Sequence, residues 1–137
     1  MHLIGTFSTF FLLKFAFKNP KMNKLFLQSI KRSNPKILAL AKNYLPAGSK
    51  DVPSNPIIFT KPCSSILFKG ENLILNTKSQ INYEIELGVV IGTAGKNIDR
   101  KHALDHVGGY FLCLDMTDWG LLSACKVNGA PWEISKG

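Results

Sequence analysis

Residues 83–92 read YEIELGVVIG, and this stretch decides how the chain is understood. Glu84, Glu86 and Gly88 alternate with Ile85, Leu87 and Val89. Alternation of this kind marks a β-strand, whose successive side chains point to opposite faces. One face is therefore predicted to carry two carboxylates, roughly 6–7 Å apart at a rise of about 3.3 Å per residue. The other face is apolar. Like charges this close repel, and a hard divalent cation relieves the repulsion. A third acid, Asp115, directly follows the apolar run YFLCL at 110–114, where it needs a partner if it is buried. On spacing alone, a solvated strand face is the commoner explanation of two such glutamates.

Outward from this strand the pattern stays β-rich. Short apolar runs at 37–41, 57–60, 66–68, 73–75 and 110–114 are read as strands. Residues 43–56 hold Pro46, Gly48, Pro53 and Pro56 and are read as a loop. A short helix is predicted over 99–107, with Asp99 as its N-cap and Gly108-Gly109 ending it. One or two helical turns are predicted over 118–126, then a loop around Asn128-Gly129. Many short strands with one or two helices imply a β-rich α+β domain.

Charge is distributed unevenly. The chain has 137 residues, 45% of them hydrophobic, and a formal charge of +8. Lys14, Lys18, Lys21, Lys24, Lys31, Arg32, Lys36, Lys42 and Lys50 lie in the first fifty residues, which contain no Asp or Glu. The other eight of the 17 basic residues share residues 51–137 with all nine acids, a balance of −1. A nucleic-acid binder spreads its positive charge over a folded face. Here the charge is N-terminal, so no nucleic-acid partner is expected and residues 1–36 are read as a basic leader of mitochondrial targeting type. A secretory signal over the apolar residues 3–13, a cytosolic product, and a start at Met22 are the other readings. No run reaches the roughly 20 apolar residues of a membrane span. Cys63, Cys113 and Cys125 form no C-x-x-C pair and are read as reduced thiols.

Four segments together resemble one family. YEIELGVVIG at 83–92, HVGGYFLCLDMT at 106–117, PIIFTKP at 56–62 and APWEISK at 130–136 are similar to the fumarylacetoacetate hydrolase superfamily, most of all to its mitochondrial acylpyruvases and oxaloacetate decarboxylases. The resemblance covers about residues 35–136. It implies a mixed β-roll, present here only in part, usually assembled as a homodimer. It implies Mg²⁺ or Mn²⁺ held by Glu84, Glu86 and Asp115, with Lys136 as a catalytic lysine. The implied substrates are 2-oxo and 2,4-dioxo acids, in acylpyruvate hydrolysis or oxaloacetate decarboxylation. Without the resemblance, Lys136 reads as a solvated lysine near the terminus.

The departures from the family pattern are specific. Asn43-Tyr44 is retained, but Ala47 and Lys50 occupy the positions of the His and Glu that would activate water. Pro46 and Gly48 disfavour the lid helix that would carry them. Trp119 stands where relatives often place an Arg for the substrate carboxylate. His102 and His106, four apart, read as surface and structural residues respectively. The expected plan is a leader over 1–36 and the N-terminal part of a fumarylacetoacetate hydrolase-like domain over 37–137, truncated at its C-terminus. The expected function is an impaired metal-dependent hydrolase or decarboxylase. The other readings are an inactive member serving as a subunit of a larger complex, and a gene fragment.

Overall fold

The computed structural model describes residues 16–17, 32–44, 47–50, 53–68, 70–75 and 78–137. Most of the expected leader lies outside them. Among the described residues five strands occur: β1 (Ala16–Phe17), β2 (Ile37–Ala41), β3 (Ile57–Lys61), β4 (Ile81–Ile91) and β5 (Val107–Asp118). An α-helix, α1, spans Trp119–Asn128. Short 3-10 turns occur at Cys63–Ser65, Arg100–His106 and Glu133–Ser135. Among the described residues, no helix is long and apolar enough to cross a membrane.

The strands form two sheets. The first has the order β1-β5-β4, with Ala16 opposite Tyr110 and Phe17 opposite Gly109 in an antiparallel pair. The second is the antiparallel pair β2-β3. Its register places Leu38 opposite Thr60 and Leu40 opposite Ile58 on one face, and Ala39 opposite Phe59 and Ile37 opposite Lys61 on the other. The chain divides into two compact units, Met1–Lys18 with Glu86–Cys113 and Asn19–Ile85 with Leu114–Gly137.

In the first unit, the glycines expected to end a helix instead begin a strand. A Cβ on Gly92 would lie 2.7 Å from the Gly108 Cα, and one on Gly108 would lie 2.9 Å from the Gly92 Cα. Only glycines permit so close a backbone approach. The preceding turn, Arg100–His106, is 3-10 rather than α, and Asp99 makes no side-chain cap. The His106 carbonyl is drawn off by the Gly92 amide at 2.8 Å.

In the second unit, α1 is longer than expected and well capped. The Asp118 carboxylate accepts from the Leu121 amide at 3.0 Å. Gly129 ends the helix with φ of 63°, and its amide donates back to the Cys125 carbonyl. Leu122 and Cys125, three apart, are the buried side chains of α1. The strands expected at 66–68 and 73–75 do not form. Glu71 closes a turn on Phe68 instead: its amide donates to the Phe68 carbonyl at 2.9 Å, and its carboxylate accepts from the Phe68 amide at 2.8 Å. Local bonds of this kind compete with a ladder. Residues 42–44 and 47–50 contain no helix, in line with the breakers noted there.

Period two holds along β4, but exposure runs opposite to the usual sense. Ile85 is 71% exposed, while Glu86 and Gly88 on the other face are half-buried. Tyr83, Leu87, Val89 and Ile91 are exposed with Ile85.

Two measurements check these contacts. Gly92→Ala should destabilise the fold by about 1–3 kcal/mol in urea denaturation, because backbone rather than a movable side chain meets the new methyl. The Leu121 amide, and after it the Ser79 side chain, hold the Asp118 pKa below its ordinary value. A folded-state pKa below the unfolded one stabilises above the unfolded value and is lost as pH falls through the folded value. The melting temperature of Asp118→Ala should therefore lie below that of the parent at pH 7, and the gap should narrow as the pH falls below about 4.

Candidate metal centre

Asp115 lies on β5, three residues before the strand ends, and its residue is 5% exposed. A buried carboxylate requires partners, and both of its oxygens have one. Lys61, the last residue of β3, donates from Nζ to Oδ1 at 2.8 Å and to the Met116 carbonyl at 3.2 Å. Lys136, just after the Glu133–Ser135 turn, donates from Nζ to Oδ2 at 2.6 Å and to the Thr117 hydroxyl at 2.8 Å. The Lys136 ammonium is also 3.7 Å from Oε2 of Glu84 and 4.6 Å from the centre of the Phe59 ring. Phe59 packs against Trp132 with ring centres 5.6 Å apart.

Lys136 is thus buried, at 4% exposed, and not the solvated terminal lysine its position suggested. The turn at Glu133–Ser135 brings it inward. The Ser135 amide and hydroxyl both donate to the Trp132 carbonyl, at 2.9 and 2.6 Å.

Glu84 and Glu86 stand two residues apart on β4 and share its face, as the alternation predicts. One carboxylate oxygen from each of Glu84, Glu86 and Asp115 lies within 4.8 Å of the other two. Two oxygens on opposite sides of one ion are about 4.2 Å apart for Mg²⁺ and about 4.6–5.2 Å for Ca²⁺, so oxygens up to 4.8 Å apart match Ca²⁺ as they stand and would draw in by a few tenths of an ångström around a smaller hard dication. The donor set is all oxygen, which suits Mg²⁺ or Mn²⁺ over soft metals.

Lys61 was missed by sequence reasoning. Its signal was present in PIIFTKP: a cation ending one apolar strand, to be matched with the acid late in another. Nothing in the sequence said that those two strand ends meet. The histidines take no part in the cluster. His102 lies 3.2 Å from the Asp105 carboxylate at the surface, and Nδ1 of His106 is 2.9 Å from the Thr93 carbonyl. Trp119 is 44% exposed, with the Lys126 ammonium 5.6 Å from its ring centre.

Comparison with known proteins shows the family. The family model described as fumarylacetoacetate (FAA) hydrolase C-terminal matches residues 32–137. The chain belongs to the fumarylacetoacetate hydrolase family. It is 43% identical over 107 residues to a mitochondrial oxaloacetate decarboxylase of Dictyostelium discoideum, a match covering 74% of this chain and 49% of that protein. It is 35% identical to a mitochondrial oxaloacetate tautomerase of Arabidopsis thaliana, covering 81% of this chain and 52% of the relative. Among solved structures, the fumarylpyruvate hydrolase of Pseudomonas aeruginosa, in complex with Mn²⁺ and pyruvate, superposes with a TM-score of 0.62 at 30% identity. That match covers 76% of this chain and 48% of the other. The chain thus spans about half the length of the relatives it matches. Its fold is the β-rich α+β fold of the family, in part.

Removing Asp115 should be costly whatever the site binds. Asp115→Ala would leave two ammonium groups side by side in a poorly solvated place. Loss of one member of a buried ionic cluster typically costs about 3–5 kcal/mol, and urea denaturation should read a loss in that range.

Proposed function

We propose that this protein is a divalent-metal-dependent enzyme acting on 2-oxo acids, with Glu84, Glu86 and Asp115 holding Mg²⁺ or Mn²⁺ and Lys136 as the catalytic lysine. The observation that carries the reading is the convergence of three carboxylate oxygens within 4.8 Å, beside a buried lysine. A bound dication would supply electrophilic polarisation of the adjacent oxygens of a 2-oxo acid.

The residues of the chain account for the rest. An ammonium has three donors. Two of those on Lys136 go to Asp115 and Thr117, and the third, with Oε2 of Glu84 3.7 Å from the nitrogen, would turn to a substrate oxygen that gains charge. In oxaloacetate decarboxylation the bond between C3 and the C4 carboxylate breaks, CO₂ departs, and the electron pair moves onto the C2 carbonyl oxygen. Protonation at C3 then yields pyruvate. No step needs an activated water. Acylpyruvate hydrolysis does need one, and Ala47 and Lys50 cannot supply the base that the family pattern provides. Lack of a positioned base costs about 10²–10⁴ in rate. Decarboxylation is therefore the favoured reaction, and hydrolysis is impaired. The names of the Dictyostelium and Arabidopsis relatives support oxaloacetate as the substrate class.

The same relatives are named mitochondrial, which supports a mitochondrial location with residues 1–36 as the targeting segment. Residues 37–137 form the N-terminal part of the domain. The exposed apolar face of β4 supports assembly, as a homodimer or as a subunit of a larger complex. It equally suits a non-catalytic assembly subunit, the second reading, which the altered positions Ala47, Lys50 and Trp119 favour.

The purified full chain should consume oxaloacetate faster with Mg²⁺ or Mn²⁺ than with EDTA, and Glu84→Ala should abolish that difference. Cation-induced thermal stabilisation without turnover would select the assembly reading. A folded chain that neither binds the cation nor turns over oxaloacetate would remove both.

A further inference from the structure

Asp115 enters the cluster with both oxygens already bonded. Lys61 holds Oδ1 at 2.8 Å and Lys136 holds Oδ2 at 2.6 Å. Any cation ligated by Asp115 must therefore share an oxygen with an ammonium group. The family reading gives Lys136 a task but leaves Lys61 without one. Lys61 is no loose surface lysine: its side chain is 13% exposed, it ends a strand paired at that residue with Ile37, and its Nζ is also held by the Met116 carbonyl. Charges so poorly solvated are little screened by salt.

Local charge then decides what Asp115 will accept. One carboxylate faces two ammonium groups, at 2.8 and 2.6 Å, and all three side chains are poorly solvated. A dication ligated by Asp115 adds to this positive excess and is repelled by both ammonium groups. An anionic 2-oxo acid bound beside it offsets the excess. Without Lys61 a single ammonium opposes the carboxylate, the dication is repelled less, and the anion has less excess to offset.

We propose that Lys61 is a positioning residue that weakens binding of the cation alone and couples it to binding of the anionic ligand. This rests on the metal reading of the three carboxylates. It adds that the two ligands bind synergistically, and that Lys61 is the reason. Such coupling is reciprocal: the anion tightens the cation by the same factor as the cation tightens the anion.

The test uses the full chain and Mn²⁺, followed by the electron paramagnetic resonance signal of free Mn²⁺, with and without pyruvate. In the parent, saturating pyruvate should tighten Mn²⁺ binding by about tenfold, within the usual range of such couplings. Lys61→Met should bind Mn²⁺ alone about tenfold more tightly than the parent does, and pyruvate should then change its affinity by less than about twofold. Lys61→Arg keeps the charge and should restore the parent pattern. A merely structural lysine would lower the melting temperature on substitution and leave the pyruvate effect intact. That result, or a folded Lys61→Met with parental or weaker Mn²⁺ affinity, overturns the proposal. Should Lys61→Met fail to fold, the parent decides alone: Mn²⁺ binding indifferent to pyruvate overturns it. Mn²⁺ binding without this coupling leaves the metal reading standing, whereas no Mn²⁺ binding under any condition removes the metal reading itself.

Discussion

Three stretches of chain far apart in sequence end on one carboxylate. Lys61 closes β3, Asp115 lies near the end of β5, and Lys136 follows the last 3-10 turn; their side chains meet at 2.8 and 2.6 Å. A buried acid without a partner would be strongly unfavourable, and so would either buried ammonium alone. Each group therefore needs the others, and the requirement fixes how these three segments lie against each other. Thr117, 2% exposed, accepts the remaining bond that Lys136 makes to a neutral group. The packing of Phe59 on Trp132 supplies an apolar wall beside the same ammonium. The polar core of this unit is thus also where the proposed metal centre lies, and stability and the proposed function draw on the same contacts.

On the proposed metal reading, the arrangement suits small acidic ligands that present neighbouring oxygens. Acids of the chain favour a cation, lysines of the chain favour an anion, and the two sets share atoms. A ligand that brings a carboxylate next to a carbonyl answers both demands at once. A lone cation or a lone anion answers only one.

Strand β4 shows how far period two can be trusted. Alternation correctly placed Glu84 and Glu86 on one face and Ile85, Leu87 and Val89 on the other. It could not say which face would be covered. The carboxylate side approaches a buried lysine and a buried aspartate, while the aliphatic side is open among the described residues. Elsewhere the differences from the sequence expectation have two causes. The apolar runs at 66–68 and 73–75 have strand composition, yet Glu71 ties the chain into a turn on Phe68. Gly108-Gly109 has the look of a helix terminator, yet the crossing with Gly92 makes Gly108 a strand residue. In the first place a bond between residues three apart overrode strand composition; in the second a backbone approach from another strand overrode a local stop signal.

The sequence by itself determined whatever depends on neighbours along the chain. It set the strand period of β4, the breakers that keep 47–50 out of a helix, the helical turns that begin at Asp118 and the loop at Asn128-Gly129, and, through four matching segments, the family. Tertiary structure alone decided what Asp115 is bonded to, that Lys136 is buried, and that Lys61 belongs to the centre at all. The reason is the reach of the forces concerned. Side-chain period and capping are settled within a few residues, whereas the pairing of a buried charge is settled by whichever opposite charge the fold brings within 3 Å, here 54 and 21 residues away.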